Sequence, residues 1–467
     1  MSPSTPLPLT ADDVPGLVDH GTVFGHPKAL TFLFGTEMWE RFSYYGMRAL
    51  LTLYMVKYLF LNNPAETVFG YSTLKAMLES VFGPLGVQPM ASQVYGLYTG
   101  LVFLTPILGG LVADRLIGRS RTVVIGAALM AVGHFMMAFE GMFLPALLVL
   151  IIGNGAFKPN ISTQVGGLYA PGDHRRDRAY SIFYVGINLG AFFSPLVCGT
   201  LGETVGWHFG FGAAGVGMLV GLFIYLYGKR YLPPEPPIVR KSANREKTPF
   251  TRQEWKAVIA LLILWFPNVL FWATYEQQGN TIALWADDFT DRSISLLSWT
   301  AEIPTTWFQA FNPFMIFAFT PFVVTLWAWQ AKRGSEPSTV TKMAFGCFGV
   351  ALANLLMVMA AHGIEAGGKS NWLWLFGYFA ILTTGELYLS PIGLSLVSKV
   401  APGRILSMMM GVWLATSFAG NFLSGWLGSF WSSMDKAAFF LMIAAIAAGA
   451  GVVIWLFNKP LTPILGE

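Results

Sequence analysis

Charge is sparse in this 467-residue sequence. Only 12% of its residues are Asp, Glu, Lys or Arg, about half the share that soluble domains carry. Cysteine is scarcer still. Cys198 and Cys347 are the only two, each inside an apolar run, which excludes a disulfide framework and a cysteine-based metal site. The six histidines (His20, His26, His134, His174, His208 and His362) stand at no metal-ligand spacing, and no HExxH occurs. With no nucleophile–base pair or metal cluster, an enzyme is not expected, and neither a metal nor a cofactor is implied. A formal charge of +4 supplies no basic stripe for nucleic acid. The first 27 residues lack the basic start and short apolar core of a secretory signal.

What the chain does have is apolar stretches long enough to cross a bilayer. They fall at 28–60, 91–113, 121–140, 143–168, 178–201, 207–231, 254–277, 305–331, 339–361, 371–398, 404–430 and 436–458. These are continuous runs and not alternating ten-residue segments, so a β-barrel is excluded. Of the 29 Lys and Arg, 21 lie in alternate loops and tails on one side, four lie on the other, and four fall within spans. That asymmetry predicts an integral membrane protein with both termini cytoplasmic. A Pro-stiffened stretch beginning Leu232-Pro233-Pro234 divides it into two halves of six spans each. The expected plan is an N-terminal tail 1–27, a six-helix bundle 28–232, a cytoplasmic linker 233–253, a second six-helix bundle 254–458 and a tail 459–467. Two equal halves suit an all-α carrier that rocks about a central cavity. The loop Gly109-Gly110-Leu111-Val112-Ala113-Asp114-Arg115-Leu116-Ile117-Gly118-Arg119 resembles the cytoplasmic loop of the major facilitator superfamily, with one extra residue before Gly118. In it Asp114 is free to pair with Arg115 or with a helix end.

Ionisable residues at bilayer depth are costly and mark function. Seven qualify: Glu37, Glu40, Arg41, Arg48, Lys158, Glu276 and Glu386. Lys57, near a span end, is able to snorkel and is given no role. His134 is expected to be a hydrogen-bonded core residue. At 100° per residue, Glu40, Arg41, Tyr44 and Arg48 all lie within about 60° of Glu37, with Tyr45 just beyond. Lipid cannot accept that stripe, so it faces the bundle interior or a water-filled cavity. The seven comprise four acids and three bases. One carboxylate is left over, and such a group is able to carry a proton. The bases lie in the first half, while Glu276 and Glu386 lie in the second. A cavity between the halves is then positive on one wall and negative on the other, which fits a zwitterion such as a short peptide. Asn188, Gln309, Asn312, Ser417 and Asn421 add fixed polar groups, and Tyr95, Tyr98, Trp272, Trp413 and Phe418 offer side-chain pockets. The group Asp287, Asp288 and Asp291 reads as a solvated outer loop.

Glu37-Met38-Trp39-Glu40-Arg41-Phe42-Ser43-Tyr44-Tyr45-Gly46 resembles, at every fixed position, the ExxERFxYYG motif of the proton-dependent oligopeptide transporter family. Phe183-Tyr184-Val185-Gly186-Ile187-Asn188-Leu189-Gly190 resembles that family's FYxxINxG segment. Phe271-Trp272-Ala273, Glu276-Gln277, Asn312-Pro313 and Gly385-Glu386 resemble its later pattern. The resemblance implies a major facilitator fold and proton-coupled import of di- and tripeptides by alternating access, in a monomer surrounded by membrane lipid. It also implies that Glu37, Glu40 and Arg41 couple protons. Arg41, Lys158 and Tyr45 then hold the peptide carboxylate, and Asn188, Asn312 and Glu386 the amino terminus. Arg48–Glu276 is implied as the outer gate pair and Lys158–Glu386 as the inner one. Tyr44, Tyr95, Trp272, Trp413 and Ser417 complete the expected substrate contacts.

Three departures stand out. The linker is too short for the two extra helices of many bacterial members. Gly96 follows Tyr95 where animal members have a His. Tyr275 precedes Glu276 where some relatives have a second acid. The full first-helix motif favours peptide over the nitrate carried by plant relatives. The second reading keeps the fold and changes the cargo to another amphoteric or anionic solute.

Overall fold

The computed structural model describes residues 21–170, 173–235, 250–296, 299–364, 368–402 and 405–465. The expected tail over 1–20 and most of the linker 233–253 lie outside the described residues. Twelve helices among the described residues reach eighteen residues or more. They are α1 Lys28–Lys57, α2 Val87–Leu104, α3 Arg119–Met136, α4 Phe143–Gly167, α5 Arg175–Ser194 and α6 Trp207–Gly228, followed by α7 Arg252–Tyr275, α8 Phe311–Lys332, α9 Thr339–His362, α10 Leu373–Val400, α11 Leu406–Gly428 and α12 Lys436–Leu456. Each covers one of the apolar stretches. Nine, among the described residues, are long and apolar enough to cross a membrane; α1, α3 and α11 fall outside that set. For α1 the cause is its charge, since Glu37, Glu40, Arg41 and Arg48 interrupt every apolar window.

Local sequence explains several helix starts. Thr251 and Glu254 form a reciprocal capping box at α7, with Glu254 N–H to Thr251 Oγ1 at 3.2 Å and Thr251 N–H to Glu254 Oε2 at 2.8 Å. Ser338 accepts from the Thr341 N–H at α9, and Asp435 accepts from the Ala438 N–H at α12. Pro159, Pro267, Pro321 and Pro391 lie inside α4, α7, α8 and α10. Each removes a backbone N–H from the helix ladder, a loss that neighbouring helices make tolerable in a membrane. Large apolar side chains point outward around the molecule, among them Phe322 (74% exposed), Phe223 (66%) and Met359 (61%). Water would leave these faces uncovered, and hydrocarbon covers them.

The buried apolar residues form two clusters, one running from Ala29 to Tyr225 and the other from Ala260 to Leu461, with Leu53 of α1 reaching into the second. Two helix pairs join them: α2 packs along α11, and α5 against α8. The first contact depends on glycine. A Cβ on Gly96 would stand 2.7 Å from both the Asn421 carbonyl oxygen and the Gly425 Cα. A Cβ on Gly425 would meet the Ser92 carbonyl oxygen at 2.6 Å. Backbones this close are what paired small residues permit in membrane helices. They also explain the Gly after Tyr95, because a histidine has no room there.

The structure adds detail to several sequence expectations and corrects one, that of a hydrogen-bonded His134. Of the two partners open to Asp114 it takes the helix end, bonding to Arg119 at the start of α3 at 3.2 Å, across a wide helical turn Ala113–Ile117 that ends at Gly118 with φ +81°. Glu235, at the head of the linker, accepts the N–H groups of Arg119 at 3.0 Å and Ser120 at 2.5 Å, capping α3. The end of the N-terminal tail is ordered: Thr22–Val23 pairs with His26–Pro27, and His26 bonds the Tyr169 hydroxyl at 2.8 Å. The C-terminal tail contains a short helix, Asn458–Leu465, whose Leu461 is buried in the second cluster. His134 is buried, yet neither ring nitrogen has a hydrogen-bond partner among the described residues.

Substituting Gly96→Val inserts three carbons where backbone already touches backbone. Overpacking of this kind costs about 1–3 kcal/mol. The expected outcome is a fall of several degrees in the thermal unfolding midpoint of the detergent-purified protein. An unchanged midpoint would show that α2 and α11 are free to separate.

Candidate functional site

The stripe on α1 is buried and self-paired. Arg41 donates to both oxygens of Glu40, from Nε to Oε2 at 2.5 Å and from Nη2 to Oε1 at 2.6 Å. Glu40 Oε1 also accepts from Asn154 on α4 at 3.2 Å. Glu37 is held more loosely. Its Oε1 lies 3.4 Å from Arg41 Nε, and its buried Oε2 has no hydrogen-bond partner among the described residues. Arg41 therefore sits between two acids one turn apart, and the trio carries one negative charge in excess. Tyr45 stands between the two arginines, with its ring centroid 6.0 Å from each guanidinium carbon, and Tyr44 lies 5.0 Å from that of Arg41. The spacing of Glu37, Arg41, Tyr44 and Arg48 puts all of them on the interior face, as the helical period requires.

Arg48 has no acid on its own helix within reach and crosses to the other cluster. Its Nη2 donates to Glu276 Oε2, and its Nε donates to the Tyr95 hydroxyl at 2.9 Å. Tyr95 is thereby engaged as a support for this ion pair. Further ties lie at the same end of the helices. Thr52 donates to the Gly279 carbonyl at 3.0 Å, Ser92 to Asn280 at 2.9 Å, and Gln88 to the Gly428 carbonyl at 2.9 Å. Lys57 pairs with Asp287 at 2.9 Å and with Asp288. Glu203 accepts the N–H groups of Thr305 and Thr306 at 2.8 Å and the Thr306 hydroxyl at 2.7 Å. A carboxylate from the first half thus caps a helical turn of the second. Arg292 binds Glu302 at 2.8 Å and stands 3.6 Å from Asp287 and 3.8 Å from Glu203.

Lys57, given no role from the sequence, thus pairs with Asp287 and Asp288, and these acids are partly exposed as well as paired. Glu203 escaped sequence reasoning altogether. A lone Glu after a span looks like any solvated loop acid, and its hydrogen-bond partners Thr305 and Thr306 lie more than a hundred residues away.

The second half presents one acid to the interior. Glu386 Oε2 accepts from the Tyr275 hydroxyl at 2.6 Å and from Asn312 Nδ2 at 2.9 Å. Trp272 packs edge-on against Tyr275, with centroids 5.5 Å apart. Trp413 is buried against Gly393, and Ser417 is buried with its carbonyl accepting from Asn421.

The structure leaves two expected groupings apart. Lys158 makes no ion pair among the described residues; its Nζ lies 4.9 Å from the centre of the Phe103 ring and feels the charges of Arg41, Glu40 and Glu37. The Lys158–Glu386 pair is therefore unmade here, because Glu386 is held by its own half. Asn188 donates to the Tyr184 carbonyl of its own helix at 3.0 Å and does not join Asn312 and Glu386. Among the described residues, Lys158 on one half thus has no ion-pair partner and Glu386 Oε1 on the other accepts no hydrogen bond.

The POT family model matches residues 120–248 and 238–448. A di-/tripeptide transporter of Lactococcus lactis subsp. cremoris is 31% identical, over 96% of this chain and 98% of the relative. The peptide transporter YePEPT of Yersinia enterocolitica subsp. palearctica is 34% identical, over 87% of this chain and 88% of its own. Among solved structures, a point mutant of the peptide transporter POT in complex with alafosfalin superimposes with a TM-score of 0.82 at 30% identity, covering 96% of this chain and 98% of that one. A POT family transporter in complex with 5-aminolevulinic acid gives 0.80 at 27% identity, covering 94% and 98%.

Breaking a buried ion pair by neutralising one partner costs about 3–5 kcal/mol, since the other charge is stranded. Glu276→Gln is expected to open the tied end. Thr52→Cys, buried beside Gly279, provides the readout with a water-soluble maleimide. Labelling is expected to be at least about tenfold faster in the Glu276→Gln background, as about 1.4 kcal/mol already gives that factor. Equal rates in both backgrounds would show that Arg48–Glu276 does not hold this end shut.

Proposed function

The chain belongs to the POT family, and from that membership we propose that it carries di- and tripeptides together with protons across the membrane by alternating access. The observation that carries this reading is the pair of unpaired charges on opposite halves. Among the described residues Lys158 makes no ion pair and Glu386 Oε1 accepts no hydrogen bond, while Oε2 accepts two. A zwitterion with separated charges satisfies both. Lys158, with Arg41 and Tyr45, receives the peptide carboxylate. Glu386 with Asn312 receives the ammonium, and Asn188 closes on it as the halves approach. Trp272, Trp413, Tyr44 and Ser417 border the side-chain space.

The proton belongs on the α1 acids. Glu40 is fully engaged by Arg41, while Glu37 is buried with one oxygen unpartnered. A buried carboxylate in that condition gains most from a proton, which removes the charge that burial penalises. Protonation of Glu37 also removes the excess negative charge of the trio. Arg41 is then shared between one acid and an incoming carboxylate.

The proposed architecture is a major facilitator arrangement of twelve spans in two six-helix bundles, 28–232 and 254–458, with both termini cytoplasmic. The loop arginines support that orientation. It puts the Arg48–Glu276, Lys57–Asp288 and Glu203 ties on the outer face, so that this conformation is closed outside. Lys158 and Glu386 then pair in the opposite state as the inner gate. Each state closes with ion pairs that the other must break, so the bound ligands decide the balance through their differential affinity.

Reconstituted in liposomes, the protein is expected to accumulate labelled dialanine when a proton gradient points inward. Absence of uptake for every di- and tripeptide offered, with the gradient present, would overturn the reading. Competition by dipeptides against other amphoteric solutes separates it from the alternative cargo. Glu37→Gln mimics the protonated acid and is expected to abolish gradient-driven accumulation while leaving counterflow. Glu40→Gln is expected to abolish accumulation too, with weaker counterflow because it strips Arg41 of its bidentate partner. Full accumulation by either variant removes that residue from proton coupling.

A further inference from the structure

Glu386 does not face the interior alone. Tyr275 and Asn312 both donate to Oε2, and Asn312 Nδ2 also reaches the Tyr275 oxygen at 3.2 Å and Thr383 Oγ1 at 3.0 Å. These groups come from three helices: Tyr275 from the end of α7, Asn312 from the start of α8, and Thr383 and Glu386 from α10. The Tyr275 ring is fixed independently of its hydroxyl. It is 5% exposed, stacks on Phe271 at 5.6 Å with a 14° interplanar angle, and takes the edge of Trp272. Ring packing therefore sets where the hydroxyl stands, and the hydroxyl sets where the carboxylate stands.

We propose that Tyr275 is a positioning residue for recognition of the substrate's cationic end. By holding Oε2 it fixes the plane of the Glu386 carboxylate and leaves Oε1 as the acceptor for an ammonium group. The proposal rests on the reading of Glu386 as the amino-terminal acid. A carboxylate held by two donors on different helices is ordered before the ligand arrives, so binding does not have to order it. An ammonium N–H donating to Oε1 makes a charge-assisted bond, about twice as strong as a neutral one. The benefit of Tyr275 therefore goes to substrates with a free amino terminus, and a peptide whose amino terminus is acylated gains little from it. Tyr275 also engages Glu386 within its own half, which keeps the acid from Lys158 in the conformation seen here.

Tyr275→Phe removes one oxygen and keeps the ring, its stack and its burial. For dialanine the expected result is a rise in KM of about tenfold, the scale of a hydrogen bond to a charged group, with the maximal rate within about twofold. Inhibition by N-acetyl-dialanine is expected to be unchanged. Binding of dialanine to the purified protein, read as a ligand-induced thermal shift, gives the double-mutant cycle. In a Glu386→Gln background Tyr275→Phe is expected to add no further loss, because the tyrosine acts through the acid. Equal losses for both peptides would mean that the hydroxyl serves packing, and a loss that persists without the acid would mean direct contact with substrate. Either result overturns the proposal, as does an unchanged KM. A wild type that neither transports nor binds dialanine overturns instead the functional reading beneath it, and this proposal falls with it.

Discussion

A charge that has left water must be met by an opposite charge within reach of its own side chain. Arg48 is where that constraint shapes the whole molecule. Arg41, two turns earlier, is satisfied within its helix by Glu37 and Glu40. Arg48 finds no acid there, and its nearest carboxylate is Glu276, on the far half of the chain. The uncompensated base on one half therefore obliges the two halves to meet. Tyr95 fills the second donor direction of the guanidinium, and with Gly279 the backbone on the far side comes close enough to receive Thr52. A buried pair of this kind is weak as a source of net stability but strong as a condition, because stranding either partner is expensive.

The ties around it differ in character. Lys57 with Asp287 and Asp288 is about one-third exposed, so water competes for it and each pair contributes little. Glu203 is drier and satisfies two backbone N–H groups as well as a hydroxyl. It fixes the start of the turn leading into α8, the helix that carries Asn312. The glycine contact between α2 and α11 is of a third kind, shape without charge, and has no electrostatic reason to favour one state. A closed end held by one buried pair, one capped helix and several wet bridges is cooperative without being permanent.

Most of the chemistry was legible in the sequence because a membrane makes ionisable residues few and their placement informative. The period of α1 alone put Glu37, Glu40, Arg41, Tyr44 and Arg48 on one face, and the structure has them there. All twelve long helices fall on the apolar stretches for the same reason. Partners between halves were less legible. Lys57 lies 231 positions before Asp288, and nothing local to either residue announces the other. Glu235 was read only as part of a linker, yet it caps α3, because capping by a distant segment leaves no local pattern. Gly96 was noted as the absence of a histidine. Its physical reason, backbone pressed on backbone, belongs to a helix more than three hundred residues away. That Lys158 and Glu386 are unpaired here lies beyond any sequence, which names two opposite charges but not whether they meet.

Tyr275 and Glu276 show how close the two functions lie. They are neighbours in the chain, yet one side chain serves the interior acid of its own half and the other the ion pair to the opposite half. The cause is geometric. Successive helical residues diverge by about 100°, and here α7 ends at Tyr275 and tightens into a 3-10 turn over Glu276–Gly279. A single rigid peptide unit separates the two. Glu386 cannot be drawn toward a ligand or toward Lys158 without pulling on the hydroxyl of Tyr275. That pull is delivered to the residue joined to Glu276 and to the turn whose Gly279 carbonyl holds Thr52. The side chain that holds Glu386 and the side chain paired with Arg48 are therefore joined through one bond of the main chain. A shift of Tyr275 is thereby passed to the residue that pairs with Arg48, and a shift of Glu276 to the residue that holds Glu386.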